Sequence, residues 1–165
     1  MEYEIVEFKR LLRTPKLSGT PPGLEHSAAE QLQQVPEKPP HVLVVDDEPA
    51  VVLLVVQMLE REGILVRTAL NGSQAVKLVQ QDGDIRVVVL DWRMPGMSGD
   101  EVLDRLIAIR PNIRAIVLSG TDLADVERAF TGRHVVRFLK KPSDLPVLAT
   151  TVKSALSGGT ARHAG

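Results

Sequence analysis

Three carboxylates, a hydroxyl and a lysine stand at the ends of four short apolar runs, an arrangement suited to receiving a phosphoryl group. The segments are Val44-Val45-Asp46-Asp47-Glu48, Val88-Val89-Leu90-Asp91, Ile116-Val117-Leu118-Ser119-Gly120 and Phe138-Leu139-Lys140-Lys141-Pro142. Each run has the length of a strand. In an open parallel sheet, groups just past the strand ends converge at the carboxyl edge, where such folds build their sites. An acidic pair alone carries little information. The ordered set of acidic pair, acid, hydroxyl and lysine is far more specific.

The chemistry follows from the residue types. Asp46, Asp47 and Asp91 brought together repel one another, so the cluster needs a compensating cation. Hard oxygen ligands, in a chain without Cys, favour Mg²⁺, which takes one or two carboxylates and keeps water in its shell. Lys141 supplies a positive point charge, and Ser119 a small hydroxyl donor. Gly99 and Gly120 leave room for a substrate or a backbone to approach. Together Mg²⁺, Lys141 and Ser119 would neutralise the oxygens of a phosphoryl group in flight, the stabilisation that dominates its transfer. A carboxylate oxygen needs no general base, because it is already ionised at neutral pH. Asp91 takes the attacking role, since the adjacent Asp46 and Asp47 suit a metal.

Elements that position these groups are legible along the chain from residue 41. His41–Val45 reads as a first strand, and Pro49 to Glu62 as a helix with proline in its first turn and Gly63 at its stop. Leu65–Ala69 is a second strand, and a capped helix follows from Asn71 to about Gln81. Arg86–Leu90 is the third strand. Ser98 and Glu101 form a capping box that opens a helix to about Arg110, before Pro111. Ala115–Leu118 and Val135–Leu139 are the remaining strands, with helices over Asp122 to Phe130 and Leu145 to Leu156. The strands are continuous apolar runs, as expected when both sheet faces are covered. Five strand–helix units predict an α/β, doubly wound, three-layer sandwich.

Composition bounds the rest. The 165 residues favour one domain, with 44% apolar residues for a core and a net charge of −1. That charge gives no general argument for nucleic acid or an anionic membrane as partner. No secretory signal pattern or spanning apolar run is present, and the chain reads as soluble and cytoplasmic. Residues 14–40, rich in Pro, Ser, Gly, Gln and Glu, read as a flexible linker within an N-terminal extension over 1–40. Residues 1–13 place Met1, Ile5, Phe8 and Leu12 at helical spacing, which fits a weak helix or a docking segment. Residues 158–165 read as a disordered tail. His26, His41, His134 and His163 match no metal-ligand spacing.

The chain from about 41 to 157 resembles the receiver domain of bacterial two-component response regulators. The resemblance rests on Val-Val-Asp46-Asp47-Glu48, Leu-Asp91-Trp-Arg-Met-Pro-Gly-Met-Ser-Gly, Leu-Ser119-Gly120, Phe138-Leu-Lys-Lys141-Pro142 and the turn Thr68-Ala-Leu-Asn-Gly72. It implies a flavodoxin-like, five-stranded parallel sheet of order 2-1-3-4-5. It implies that Asp91 accepts a phosphoryl group from a sensor histidine kinase or a histidine phosphotransfer protein. Asp47, Asp91 and the backbone carbonyl of Arg93 would then bind Mg²⁺ directly, and Asp46 through water. Ser119 and Lys141 would contact the phosphoryl oxygens. Ser119 and Phe138 would form the switch, Ser119 moving toward the modified Asp91 and Phe138 turning inward. Phe138 lacks the hydroxyl of the tyrosine common at this position. The fourth helix, fifth strand and fifth helix would carry output to a downstream protein, and Arg93 and Thr121 would tune the phosphoryl lifetime.

Two further expectations complete the reading. In the first helix Val51, Leu54, Val55, Met58 and Leu59 make a sufficient core stripe. Val52, Leu53 and Val56 then fall outside it, and Val52 and Val56 are expected to form a docking or dimer surface. Nothing after Leu156 has the length of an output domain, which predicts a stand-alone receiver. A haloacid-dehalogenase-like phosphatase would place its nucleophile after the first strand with a second Asp two residues on, and Asp46-Asp47-Glu48-Pro49 lacks that spacing. A receiver degenerated into a plain binding module would have lost a site residue, and none is missing.

Overall fold

Residues 41–158 are described by the computed structural model. The expected helix at 1–13, the linker at 14–40 and the tail after Gly158 lie outside the described residues. Five parallel strands form one sheet of order β2-β1-β3-β4-β5. They are β1 (Val42–Val45), β2 (Val66–Ala69), β3 (Val87–Asp91), β4 (Arg114–Ser119) and β5 (Val135–Lys140). Between them run α1 (Pro49–Arg61), α2 (Gly72–Gln81), α3 (Gly99–Ile109) and α4 (Leu123–Ala129), and α5 (Leu148–Leu156) closes the fold. A tight 3-10 turn, Leu145–Val147, leads into α5 and takes up the first residues of the expected last helix.

Strand alternation splits the core into two layers. Leu43, Val45, Val88, Leu90, Ala115 and Val117 face α2, α3 and α4, where they meet Ala75, Val79, Val102, Leu106, Val126 and Phe130. Val42, Val44, Val87, Val89, Ile116 and Leu118 face α1 and α5, where they meet Val55, Leu59, Leu148 and Val152. Both faces of β1, β3 and β4 are therefore covered, which explains their unbroken apolar sequences.

Helix α1 departs from expectation. Its buried residues are Val52, Val55 and Leu59. Val52 is only 7% exposed, whereas Leu53 and Leu54 are 58% and 45% exposed. The expected outward surface of Val52 and Val56 is thus corrected: Val52 belongs to the core side and Val56 is half-buried. Residues Ala50 to Val56 are all apolar, so periodicity leaves the helical phase open there. Packing against the sheet sets it, with Val51 and Met58 covering the flanks.

Two arginines close helix ends at the amino edge of the sheet. Arg110 donates to the carbonyls of Val79 and Asp82 at the end of α2, both at 3.1 Å, and to that of Ile85 in the loop before β3, at 2.6 Å. Arg114 donates to the carbonyl of Ala155 in the last turn of α5. Helix C-termini leave carbonyls without partners, and a guanidinium answers both the hydrogen bonds and the dipole.

Candidate functional site

Strand register brings the predicted groups to one edge. Val45 pairs with Leu90, Asp91 with Leu118, and Ser119 with Lys140. Asp46 follows β1, Asp91 ends β3, Ser119 ends β4, and Lys141 follows β5. The Lys141 backbone N–H donates to the Ser119 carbonyl at 2.7 Å, which continues the ladder past the strand ends. The Lys141–Pro142 peptide is cis.

One ammonium joins two buried carboxylates. Lys141 Nζ donates to Asp46 Oδ2 at 2.5 Å and to Asp91 Oδ1 at 2.7 Å. Asp46 is 2% exposed and Asp91 7%. Asp46 Oδ1 also accepts the Glu48 backbone N–H at 3.0 Å, which fixes its rotamer. Asp46, Asp91 and Lys141 thus form the centre of the site. Asp47 is half-exposed and borders a shallow open depression with Trp92, Arg93, Met94, Pro95 and Ser98.

Charge sharing explains the ionisation of the pair. Burial is the largest influence on Asp91 and pushes its carboxyl above the ordinary aspartate value. Lys141 draws it down, the Asp46 charge pushes it up, and the Arg93 backbone draws it down. Burial opposes the charged form of Lys141, but the hydrogen bonds and charges of Asp46 and Asp91 outweigh it and hold the lysine above its ordinary value. Lys141 has two carboxylates, while each carboxylate has half an ammonium.

A stability effect follows. A carboxyl raised in the folded state binds its proton more tightly there than in the unfolded chain. Its ionisation therefore costs stability once the pH exceeds the ordinary aspartate range. Asp91→Asn removes that cost, and its thermal midpoint is expected a few degrees above that of the native chain at neutral pH. The gap should close below about pH 4, where Asp91 is protonated in both states. A lower midpoint for the variant at neutral pH would make Asp91 a net stabiliser and contradict this account.

Ser119 is buried beside this cluster, but its hydroxyl is engaged with Thr121. Ser119 Oγ lies 2.9 Å from Thr121 Oγ1 and accepts the Thr121 backbone N–H at 3.1 Å. Phe138 is half-buried and packs edge-on against Phe130, with ring centroids 5.8 Å apart. The Arg93 guanidinium lies over the Trp92 ring, 4.7 Å from its centroid. Met94 is buried and Trp92 half-buried, and both pack on the core.

Gly99 has a structural role that the sequence left open. A Cβ there would stand 2.4 Å from the Asp91 carbonyl oxygen and 2.9 Å from Trp92 Cα. Backbone, rather than substrate, fills the space that this glycine leaves. The Gly99 N–H donates to the Trp92 carbonyl at 2.7 Å, and the Trp92 N–H to the Leu118 carbonyl at 3.3 Å. The start of α3 is thereby clamped to Trp92, the residue that follows β3. A Cβ at Gly120 would meet nothing within 4 Å.

The donor set suits a hard divalent cation. Asp46, Asp47 and Asp91 offer only oxygen atoms, and Lys141 leaves the group with excess negative charge. Among the described residues no three His, Asp or Glu side chains form a ready cage. Mg²⁺ does not require one, since it keeps several waters and uses one or two carboxylates.

Comparison with known proteins gives a consistent result. The family model for the response regulator receiver domain matches residues 42–153. Sporulation initiation phosphotransferase F of Bacillus subtilis is 30% identical over 115 residues, covering 70% of this chain and 92% of that protein. The sensor kinase CckA of Brucella abortus is 36% identical over 116 residues, covering 70% of this chain, yet this chain spans only 12% of that protein. Among solved structures, the receiver domain of NtrX from Brucella abortus superposes with a TM-score of 0.64 at 29% identity. It covers 70% of this chain and 98% of that one.

Proposed function

Since the chain belongs to the response regulator receiver domain family of two-component signalling, we propose that Asp91 is its phosphoacceptor. The observation that carries this assignment is the Lys141 ammonium held 2.7 Å from the Asp91 carboxylate at the carboxyl edge. A carboxylate oxygen of Asp91 attacks phosphorus, and the bond from phosphorus to the donor imidazole nitrogen breaks, leaving its electron pair on the imidazole. Lys141 stabilises charge on the phosphoryl oxygens, and Ser119 gives up Thr121 to donate to one of them. Asp47, Asp91 and the Arg93 carbonyl would hold Mg²⁺, with Asp46 acting through water. Bound there, the metal supplies charge neutralisation to the phosphoryl oxygens.

The donor is a sensor histidine kinase or a histidine phosphotransfer protein. The outward face of α1 offers it Leu53 and Leu54, both exposed. Output passes through α4, β5 and α5 to a downstream protein or a second copy of the chain. The engaged Ser119 hydroxyl and the Phe138–Phe130 contact are the parts that rearrange. Arg93 and Thr121 tune the phosphoryl lifetime, the first from its place on Trp92 and the second through its hold on Ser119. Among the described residues no helix is long and apolar enough to cross a membrane.

Intact mass spectrometry after incubation with Mg²⁺ and acetyl phosphate tests the assignment. The native chain should gain one phosphoryl group. Asp91→Asn, or omission of Mg²⁺, should abolish the gain. A phosphoryl group retained by Asp91→Asn would sink the assignment.

A further inference from the structure

At the edge of the sheet opposite Asp91, three arginines surround one shallow concavity. It measures about 380 Å³ and is lined by Arg86, Arg110 and Arg114 together with Asn112, Ser157 and Gly158. No carboxylate lines it. Among the described residues, none of the three arginines lies within salt-bridge distance of an acid. In the adjoining loop Asp82 pairs with Arg67 at 3.4 Å and accepts the Asp84 backbone N–H, and the exposed Asp84 is not among the residues that line the concavity.

Helix capping accounts for part of this charge. Arg110 and Arg114 answer the C-termini of α2 and α5. Each helix end carries about half a negative charge. Two helix ends offset about one unit, and three guanidinium groups bring three. About two positive charges therefore remain around the concavity. The capping bonds also fix two of the three guanidinium groups, so a ligand meets them already oriented. Arg86 is exposed at the head of β3, and its side chain makes no hydrogen bond among the described residues.

We propose that this concavity is a binding site for a small, multiply charged phosphate-bearing anion. Arg86 would supply a two-pronged contact, and the unused N–H groups of Arg110 and Arg114 would complete the cradle. Planar guanidinium groups match phosphate oxygens in this way. The site lies at the amino edge of the sheet, so an occupant would clamp the ends of α2 and α5 without obstructing Asp91. The proposal is independent of the phosphoacceptor assignment.

Calorimetric titration with inorganic pyrophosphate tests it, at fixed ionic strength and without Mg²⁺, so that no metal-bridged binding at the Asp91 edge contributes. One site per chain is expected. Arg86→Gln should weaken it about tenfold or more, the loss of one charge-assisted two-pronged contact. Arg86 bonds its neighbours through backbone atoms only, to the His41 carbonyl and from the Arg114 N–H, so the variant keeps its fold. Arg105→Gln removes the same charge from the exposed face of α3 and should leave affinity unchanged. No measurable heat of binding at millimolar pyrophosphate would overturn the proposal. So would equal affinity in the native chain and Arg86→Gln, or equal weakening by Arg86→Gln and Arg105→Gln.

Discussion

Lys141→Met is expected to lower the stability of the domain by about 3 kcal/mol at neutral pH, the usual cost of stranding a buried charge. Two carboxylates, both under a tenth exposed, share this one ammonium. Met preserves much of the volume of the side chain, so the loss reports charge rather than packing. Urea unfolding at several pH values separates the two. The deficit should shrink as the pH falls, because Asp91, whose carboxyl burial already pushes above the ordinary aspartate value, then takes up a proton and one stranded charge is lost. In the native chain the raised lysine keeps its charge through neutral pH, and its contribution fades only as the pH climbs past the ordinary lysine range. Phosphoryl acceptance from acetyl phosphate should fall by about two orders of magnitude, the scale of losing one preorganised charge at a transition state. A variant as stable as the native chain at every pH would refute the shared-ammonium account.

Gly99→Ala is the second large effect. The added methyl would stand 2.4 Å from the Asp91 carbonyl oxygen and 2.9 Å from Trp92 Cα, and these are backbone atoms without a rotamer to yield. The cost should be about 3 kcal/mol, the upper end for forcing one carbon into a packed region. The displaced atoms belong to the acceptor residue and its neighbour, so acceptance of the phosphoryl group should fall with stability. Gly120→Ala serves as the control. It has open space around it and should change stability by less than about 0.5 kcal/mol. Denaturant melts and phosphorylation rates of both variants decide the matter. Equal effects at Gly99 and Gly120 would show that the backbone clamp is unimportant.

Much of this was readable in the sequence because the informative residues obey strong local rules. Polar groups after continuous apolar runs located Asp46, Asp91, Ser119 and Lys141, and parallel register brought them to one edge. The sheet order follows from the family resemblance and matches the structure. Helix ends agreed to within a residue or two where Pro49, Asn71 and Ser98 give strong start signals, whereas α5 begins three residues later than expected, after the 3-10 turn. The phase of α1 was not readable, because seven apolar residues in a row have no polar marker to say which face turns outward. Nor was the purpose of Gly99, since a glycine leaves the same space for a ligand as for a backbone. Arg110 and Arg114 were invisible for another reason: their partners, Val79 and Ala155, are far along the chain and contribute only carbonyls.

The uneven burial of the sheet has a consequence for how a signal can leave the domain. Strands β1 and β3 are buried throughout, and β4 nearly so, whereas the two marginal strands, β2 and β5, are mostly half-covered or exposed. Local opening draws on the least protected segments first. The strand that carries Phe138 and leads to Lys141 can therefore loosen while the three central strands stay shut. Amide protons along β5 would exchange with solvent through such partial openings, and those of β3 only when the whole domain unfolds.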